Sequence, residues 1–155
     1  MTSGKLFELA LLGGAGLLAS AAVAEPVADG GRKFTTELTG EAEISSTTGL
    51  PNAGDLDGTG TAHVVVNPGQ ERICYDITVS GIAAPTRGHI HRAPAGTNGA
   101  IVVPFFEADA VDLNDCVDVT RALAIEIIQH PERFYVNVHN SEFPAGAMRG
   151  QLAKK

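Results

Sequence analysis

A chain of 155 residues with 18 acidic and 11 basic side chains carries a formal net charge of −7, and its length suits one domain with a single core. Hydrophobic residues at 44% and charged residues at 19% exclude a disordered tail. The acidic balance, with no basic run against it, excludes a phosphate-tracking nucleic-acid binder.

Residues 1–24 read as an address. Lys5 gives a weakly positive start, Leu9 to Val23 is an apolar, small-residue run, and Ala22-Val23-Ala24 has the A-x-A pattern that signal peptidase reads. A membrane anchor is the alternative, but Gly13, Gly14 and Gly16 break the run and no charged stop-transfer cluster follows. The expectation is cleavage before Glu25 and export to the periplasm or medium. That leaves residues 25–155 as one domain with no transmembrane helix. In an oxidising compartment Cys74 and Cys116 are expected to pair, a cross-link worth roughly 4 kcal/mol on the chain-entropy model. Two buried free thiols are the alternative.

The remainder divides into short β-like segments. Lys33 to Thr39 and Glu41 to Ser46 are β-branched or alternating, and a turn-rich loop runs from Thr48 to Gly60. Thr61 to Val66 and Arg72 to Ser80 form a hairpin about Asn67-Pro68-Gly69. Further strands are expected at Gly88 to Arg92, Ala100 to Phe105, Arg133 to Asn140 and Ala147 to Leu152. One short helix interrupts them at about 120–129. Thr120 is its N-cap, Leu123, Ala124, Ile127 and Ile128 fall at helical spacing, and Pro131 stops it near His130. The fold class is all-β: an antiparallel Greek-key β-sandwich or barrel with the helix closing one end.

The chemistry concentrates in Gly88-His89-Ile90-His91. Alternate residues of a strand share a face, so His89 and His91 present two imidazoles side by side. His139 ends Phe134-Tyr135-Val136-Asn137-Val138-His139, where it shares the polar face with Tyr135 and Asn137. Two strands thus offer three imidazoles to one surface patch, a donor set that suits Cu, Zn, Ni or Fe. The plainer reading is a set of exposed histidines on a polar sheet face. His63 is a candidate fourth ligand, or simply exposed, and His130 caps the helix end. Arg149 either draws a small anion to the metal or forms a surface ion pair. Met148, on the opposite face, is a core residue before it is an axial copper ligand. Asp55-Leu56-Asp57-Gly58 reads as a turn, since the later acidic ligand of a calcium loop is missing. The motifs of zinc proteases, P-loops, serine hydrolases and dinucleotide binders are absent.

At these residues the sequence resembles the CHRD family, named after the repeated domain of chordin. The marks are Cys74-Tyr75-Asp76-Ile77, His89-Ile90-His91-Arg92-Ala93-Pro94-Ala95-Gly96 with Asn98-Gly99, Cys116, Phe134 to His139, and Phe143-Pro144-Ala145-Gly146 leading to Arg149-Gly150-Gln151-Leu152. They span roughly Lys33 to Leu152. In animals the related domain sits in secreted growth-factor antagonists, so the resemblance by itself implies a binding module. Gly88-His89-Ile90-His91 is also similar to the copper-binding strand of copper–zinc superoxide dismutases. That similarity implies copper on His89, His91 and His139, an anion-guiding Arg149 and superoxide as substrate. The bridging histidine and zinc site of those enzymes have no counterpart between His91 and His130. The expectation is an exported copper protein, dismutase-like or copper-binding, with no organic cofactor. The competing expectation is a metal-free adhesion module that uses the Pro94 to Asn98 loop for a protein partner, a second copy of the chain among the candidates.

Overall fold

Alternation builds the strands. In the computed structural model, which describes Met1, residues 30–108 and residues 110–154, β1 (Arg32–Thr39) turns Phe34, Thr36 and Leu38 inward. Ala62, Val64 and Val66 do the same in β2 (Thr59–Asn67), and Ile73, Tyr75 and Ile77 in β3 (Arg72–Ser80). β-branched and aromatic residues at every second position suit a half-buried pleated surface. Asn67 closes the β2–β3 turn by accepting from the backbone N–H groups of Gly69 and Gln70, both at 3.0 Å. The expected export signal lies, Met1 apart, outside the described residues.

Five more strands follow: β4 (Pro85–Arg92), β5 (Ala100–Phe106), β6 (Asn114–Asp118), β7 (Phe134–Asn140) and β8 (Met148–Gln151). The eight form one antiparallel sheet in the order β5-β4-β7-β8-β1-β2-β3-β6. Its two ends curl toward each other into a nearly closed barrel. Tyr75 of β3 stacks on Phe105 of β5 with ring centroids 4.1 Å apart, and its hydroxyl donates to the Phe105 carbonyl at 3.0 Å. Cys74 and Cys116, opposite one another on β3 and β6, are disulfide-bonded.

The helix α1 (Arg121–Gln129) is capped by Thr120, whose hydroxyl accepts from Leu123 N–H at 3.2 Å. Its buried Ala124 and Ile127 join the core, and His130 is its C-cap residue. Pro131 starts a 3₁₀ turn over Pro131–Arg133, so Arg133 precedes β7 rather than opening it.

Further differences from the sequence reading bear on the site. Glu41 to Ser46 is a turn and not a strand, entered where Glu43 N–H donates to the Gly40 carbonyl. β4 begins at Pro85, earlier than Gly88. β6 was not anticipated at all. Asn-Asp-Cys-Val-Asp has little strand character of its own, and its pairing to β3, with the disulfide in the middle, is what makes it a strand.

Every residue of β7 is buried, on both faces. Phe134, Val136 and Val138 point into the barrel, so something must cover Tyr135, Asn137 and His139 outside. Removing the disulfide with Cys74→Ala/Cys116→Ala is expected to cost about 2–4 kcal/mol, because it frees a loop of 42 residues in the unfolded chain. Denaturant titration of the variant against the oxidised protein measures this directly.

Candidate metal centre

The β4–β7 register sets Arg87 opposite His139, His89 opposite Asn137 and His91 opposite Tyr135. On the other side of β7, Asn137 stands opposite Arg149 and Tyr135 opposite Gln151. Gly88 and Ile90 face the core, which sends His89 and His91 to the outer face. There the three histidines converge, each with one ring nitrogen within 4.8 Å of the others'.

The patch is buried, and not on the surface that strand alternation alone predicts for it. His89, His91 and His139 are 2%, 8% and 6% exposed. Two loops roof the outer face, and Arg149 holds them. Its guanidinium donates to Glu43 Oε2 at 2.6 and 2.8 Å, to Asn98 Oδ1 at 2.6 Å, and lies 4.4 Å from the Tyr135 ring centroid. Asn98 in turn donates to the Ile44 carbonyl at 2.9 Å, linking one loop to the other. Gly146 completes the fit: a β-carbon there would meet the Glu43 carboxylate at 2.6 Å.

Each imidazole is oriented by its second nitrogen. His91 Nδ1–H donates to the Gly99 carbonyl at 2.9 Å, and His139 Nδ1–H to the Pro144 carbonyl at 3.2 Å. His89 Nε2–H donates to Glu107 Oε1 at 3.2 Å. A neutral imidazole carries one proton, so these three bonds use all three. His89 Nδ1 and His139 Nε2 then face each other with lone pairs at 3.2 Å, and His91 Nε2 is buried with no partner. With the His89 proton on Nε2 toward Glu107, a hydrogen bond across the 3.2 Å gap needs a fourth proton and a cationic ring, which burial opposes. Moving that proton to Nδ1 turns a bare Nε2 toward the Glu107 carboxylate. A metal ion needs neither. Two nitrogens at 2.0–2.1 Å from a tetrahedral metal lie about 3.3 Å apart. Carbonyl and carboxylate partners on the far nitrogens are how metal-binding imidazoles are commonly held.

Burial is the main cause that pushes all three histidines below their ordinary range, His139 to about 4 with further help from its histidine neighbours and Arg87. Glu107 opposes the shift at His89 without overcoming it. Glu43 moves the other way: burial raises it, and the Arg149 charge only partly offsets this. The rings are therefore neutral at pH 7, the state a metal ligand requires.

The other named residues lie apart. His63 is exposed on β2, 3.1 Å from the Thr35 hydroxyl, and does not join the cluster. Met148 is in the core. Asp55 to Gly58 is a turn, closed by Gly58 N–H on the Asp55 carbonyl at 3.0 Å. Three contributors go unread in the sequence, Glu43, Arg87 and Glu107, and Asn137 stands there only as a polar-face neighbour of His139. Arg87 shares the face of His89 and His91, lies opposite His139, and donates to the Pro144 carbonyl at 3.0 Å. The register, once known, identifies Arg87 and Asn137. Nothing local in the sequence marks Glu43 or Glu107.

A nearly closed eight-stranded barrel with a roofed histidine cluster thus uses the segments His91 to Gly99, Phe134 to His139 and Phe143 to Arg149 together. The family model of the CHRD domain matches residues 34–152, and the chain belongs to that family. No curated protein and no solved structure matches it.

Arg149→Leu leaves the Glu43 carboxylate buried and uncompensated, and is expected to destabilise the fold by about 3–5 kcal/mol, while Arg149→Leu/Glu43→Leu recovers most of the loss. Chemical denaturation of the two variants separates these outcomes. The depressed histidines also predict an acid dependence. Between about pH 6.5 and pH 4 the unfolded chain binds protons that the native rings refuse, so metal-free stability falls as pH drops through that window. His139→Gln should show a shallower decline than wild type when melting temperature is followed across it.

Proposed function

We propose that this CHRD-domain chain is an exported metal-binding protein whose His89, His91 and His139 together hold one copper ion. The observation that carries the reading is the convergence of three ring nitrogens, His89 Nδ1, His91 Nε2 and His139 Nε2, which stand open when each ring proton sits on the nitrogen facing Glu107, Gly99 or Pro144. Imidazole donors suit several first-row metals, and copper stands highest among them in intrinsic affinity. Export rests on the Ala22-Val23-Ala24 signal in the sequence and on the disulfide, which persists in oxidising compartments. No helix among the described residues is long and apolar enough to cross a membrane.

Holding copper is favoured over superoxide dismutation as the main role. A dismutase needs approach for a small anion and a free cation to draw it in. Arg149 is engaged by Glu43 and Asn98, so its part in this reading is to position the roof. Arg87, half-buried beside His139, is the cation left at the edge of the cluster.

Metal analysis of the mature protein, purified untagged and then loaded with copper and dialysed, tests the reading. One copper per chain, lost in His89→Ala/His91→Ala, supports it. No retained metal in either protein overturns it and favours the metal-free interaction module. Glu107→Ala is expected to retain copper with affinity lowered about 10-fold or more, since it removes the group that orients His89. A superoxide assay on the loaded wild type decides the narrower enzymatic role.

A further inference from the structure

We infer that Asn137 is the fourth member of the centre and that its side-chain oxygen fits the site to a divalent ion. This rests on the metal-binding reading above and goes beyond it by assigning the donor set and the oxidation state it favours. Asn137 occupies the one position of the β4–β7 face that neighbours all three histidines. It stands directly opposite His89, two residues from His139 on the same face, and diagonal to His91. It is 2% exposed, and its Oδ1 is buried with no hydrogen-bond partner.

Bond counting supports the reach. The ring nitrogen that His89 leaves open is Nδ1, the nearer of its two nitrogens to the backbone. Nδ1 of histidine and Oδ1 of asparagine are the same number of bonds from their α-carbons. A centre low enough to use His89 Nδ1 is therefore at the height that Asn137 Oδ1 reaches from the facing position, directly or through one bound water.

The chemistry then makes sense of an otherwise costly residue. Asn137 neighbours imidazoles whose open nitrogens carry lone pairs, and its own buried Oδ1 accepts no hydrogen bond, so its lone pairs add to an unfavourable interaction there. A cation reverses the sign of that interaction. Amide oxygen is a hard donor, suited to divalent ions, whereas Cu(I) prefers soft sulfur or imidazole alone. Three imidazoles and one amide oxygen thus favour Cu(II) over Cu(I), and they accommodate Zn(II) as well.

The test compares wild type, Asn137→Leu and Asn137→Asp, each as the full mature chain with folding checked by circular dichroism. Cu(II) supplied as the sulfate and Cu(I) are each titrated against a competing chelator, and the Cu(II) forms are examined by electron paramagnetic resonance. Expected for Asn137→Leu is a roughly 10-fold or greater loss of Cu(II) affinity, with Cu(I) affinity unchanged and an altered Cu(II) spectrum. Asn137→Asp keeps the shape and adds charge, so it should bind Cu(II) more tightly than wild type and shift the spectrum. That variant carries the test if the leucine variant fails to fold. Wild-type spectra and affinities in the folded variants overturn the role of Asn137 while leaving the three-histidine centre standing. A wild-type chain that retains copper in neither oxidation state overturns both.

Discussion

The arrangement depends on one ion pair in an unusual place. Arg149 and Glu43 meet on the outer face of the barrel sheet, where side chains ordinarily meet water, yet they are 6% and 2% exposed. Charges are costly to bury, and a pair survives there only when its geometry is good and its remaining capacity is used. Arg149 meets this on its side with two contacts to one carboxylate oxygen, a third to Asn98 and the face of Tyr135 beneath it, while the second Glu43 oxygen, Oε1, is buried without a hydrogen-bond partner. Because Glu43 and Asn98 belong to different loops, the same guanidinium draws both over β4 and β7. The burial of the histidines, and with it their neutrality, follows from that closure.

Protonation is where structure turns into chemistry. Two of the three orienting acceptors are backbone carbonyls, Gly99 and Pro144, set by loops rather than by side-chain choice. Tyr135 adds stiffness by stacking on His91, with centroids 4.9 Å apart and planes 9° from parallel, and by accepting the Gly99 N–H at 3.3 Å. His91 is thus fixed by its ring face and its Nδ1–H while Nε2 stays open. Rigid supporting contacts of this kind lower the reorganisation a metal would otherwise demand.

Period-two alternation made much of the barrel legible. Most strands, the capped helix and the convergence of His89, His91 and His139 follow from patterns a few residues long. What escaped depends on distant partners. Asn114 to Asp118 is a strand because β3 lies beside it, and Glu41 to Ser46 is a turn because the chain folds back as a roof, with Asp55 N–H on the Ala147 carbonyl at 2.9 Å. The same limit applies at the centre. Strand alternation says which face His139 shares with Asn137, but not that this face is covered. For that reason the histidines read as exposed, and Arg149 as free to attract an anion. The fold class needed only local periodicity, whereas the environment of the site needed loop placement over 106 residues of separation, the span from Glu43 to Arg149.

The disulfide has a consequence for how such a centre would be assembled. Cys74 and Cys116 enclose His89 and His91 within their loop and leave His139 outside it. A metal joining the three would therefore be a second cross-link whose span interleaves with the first, one running from 74 to 116 and the other from 89 to 139. Interleaved links cannot relax independently: once the first is closed, β4 is already confined near β3 and β6, and the second has a smaller conformational volume to search. The effect is reciprocal, since either link lowers the entropy that the other must remove, so pairing of the thiols and holding of a metal would reinforce one another.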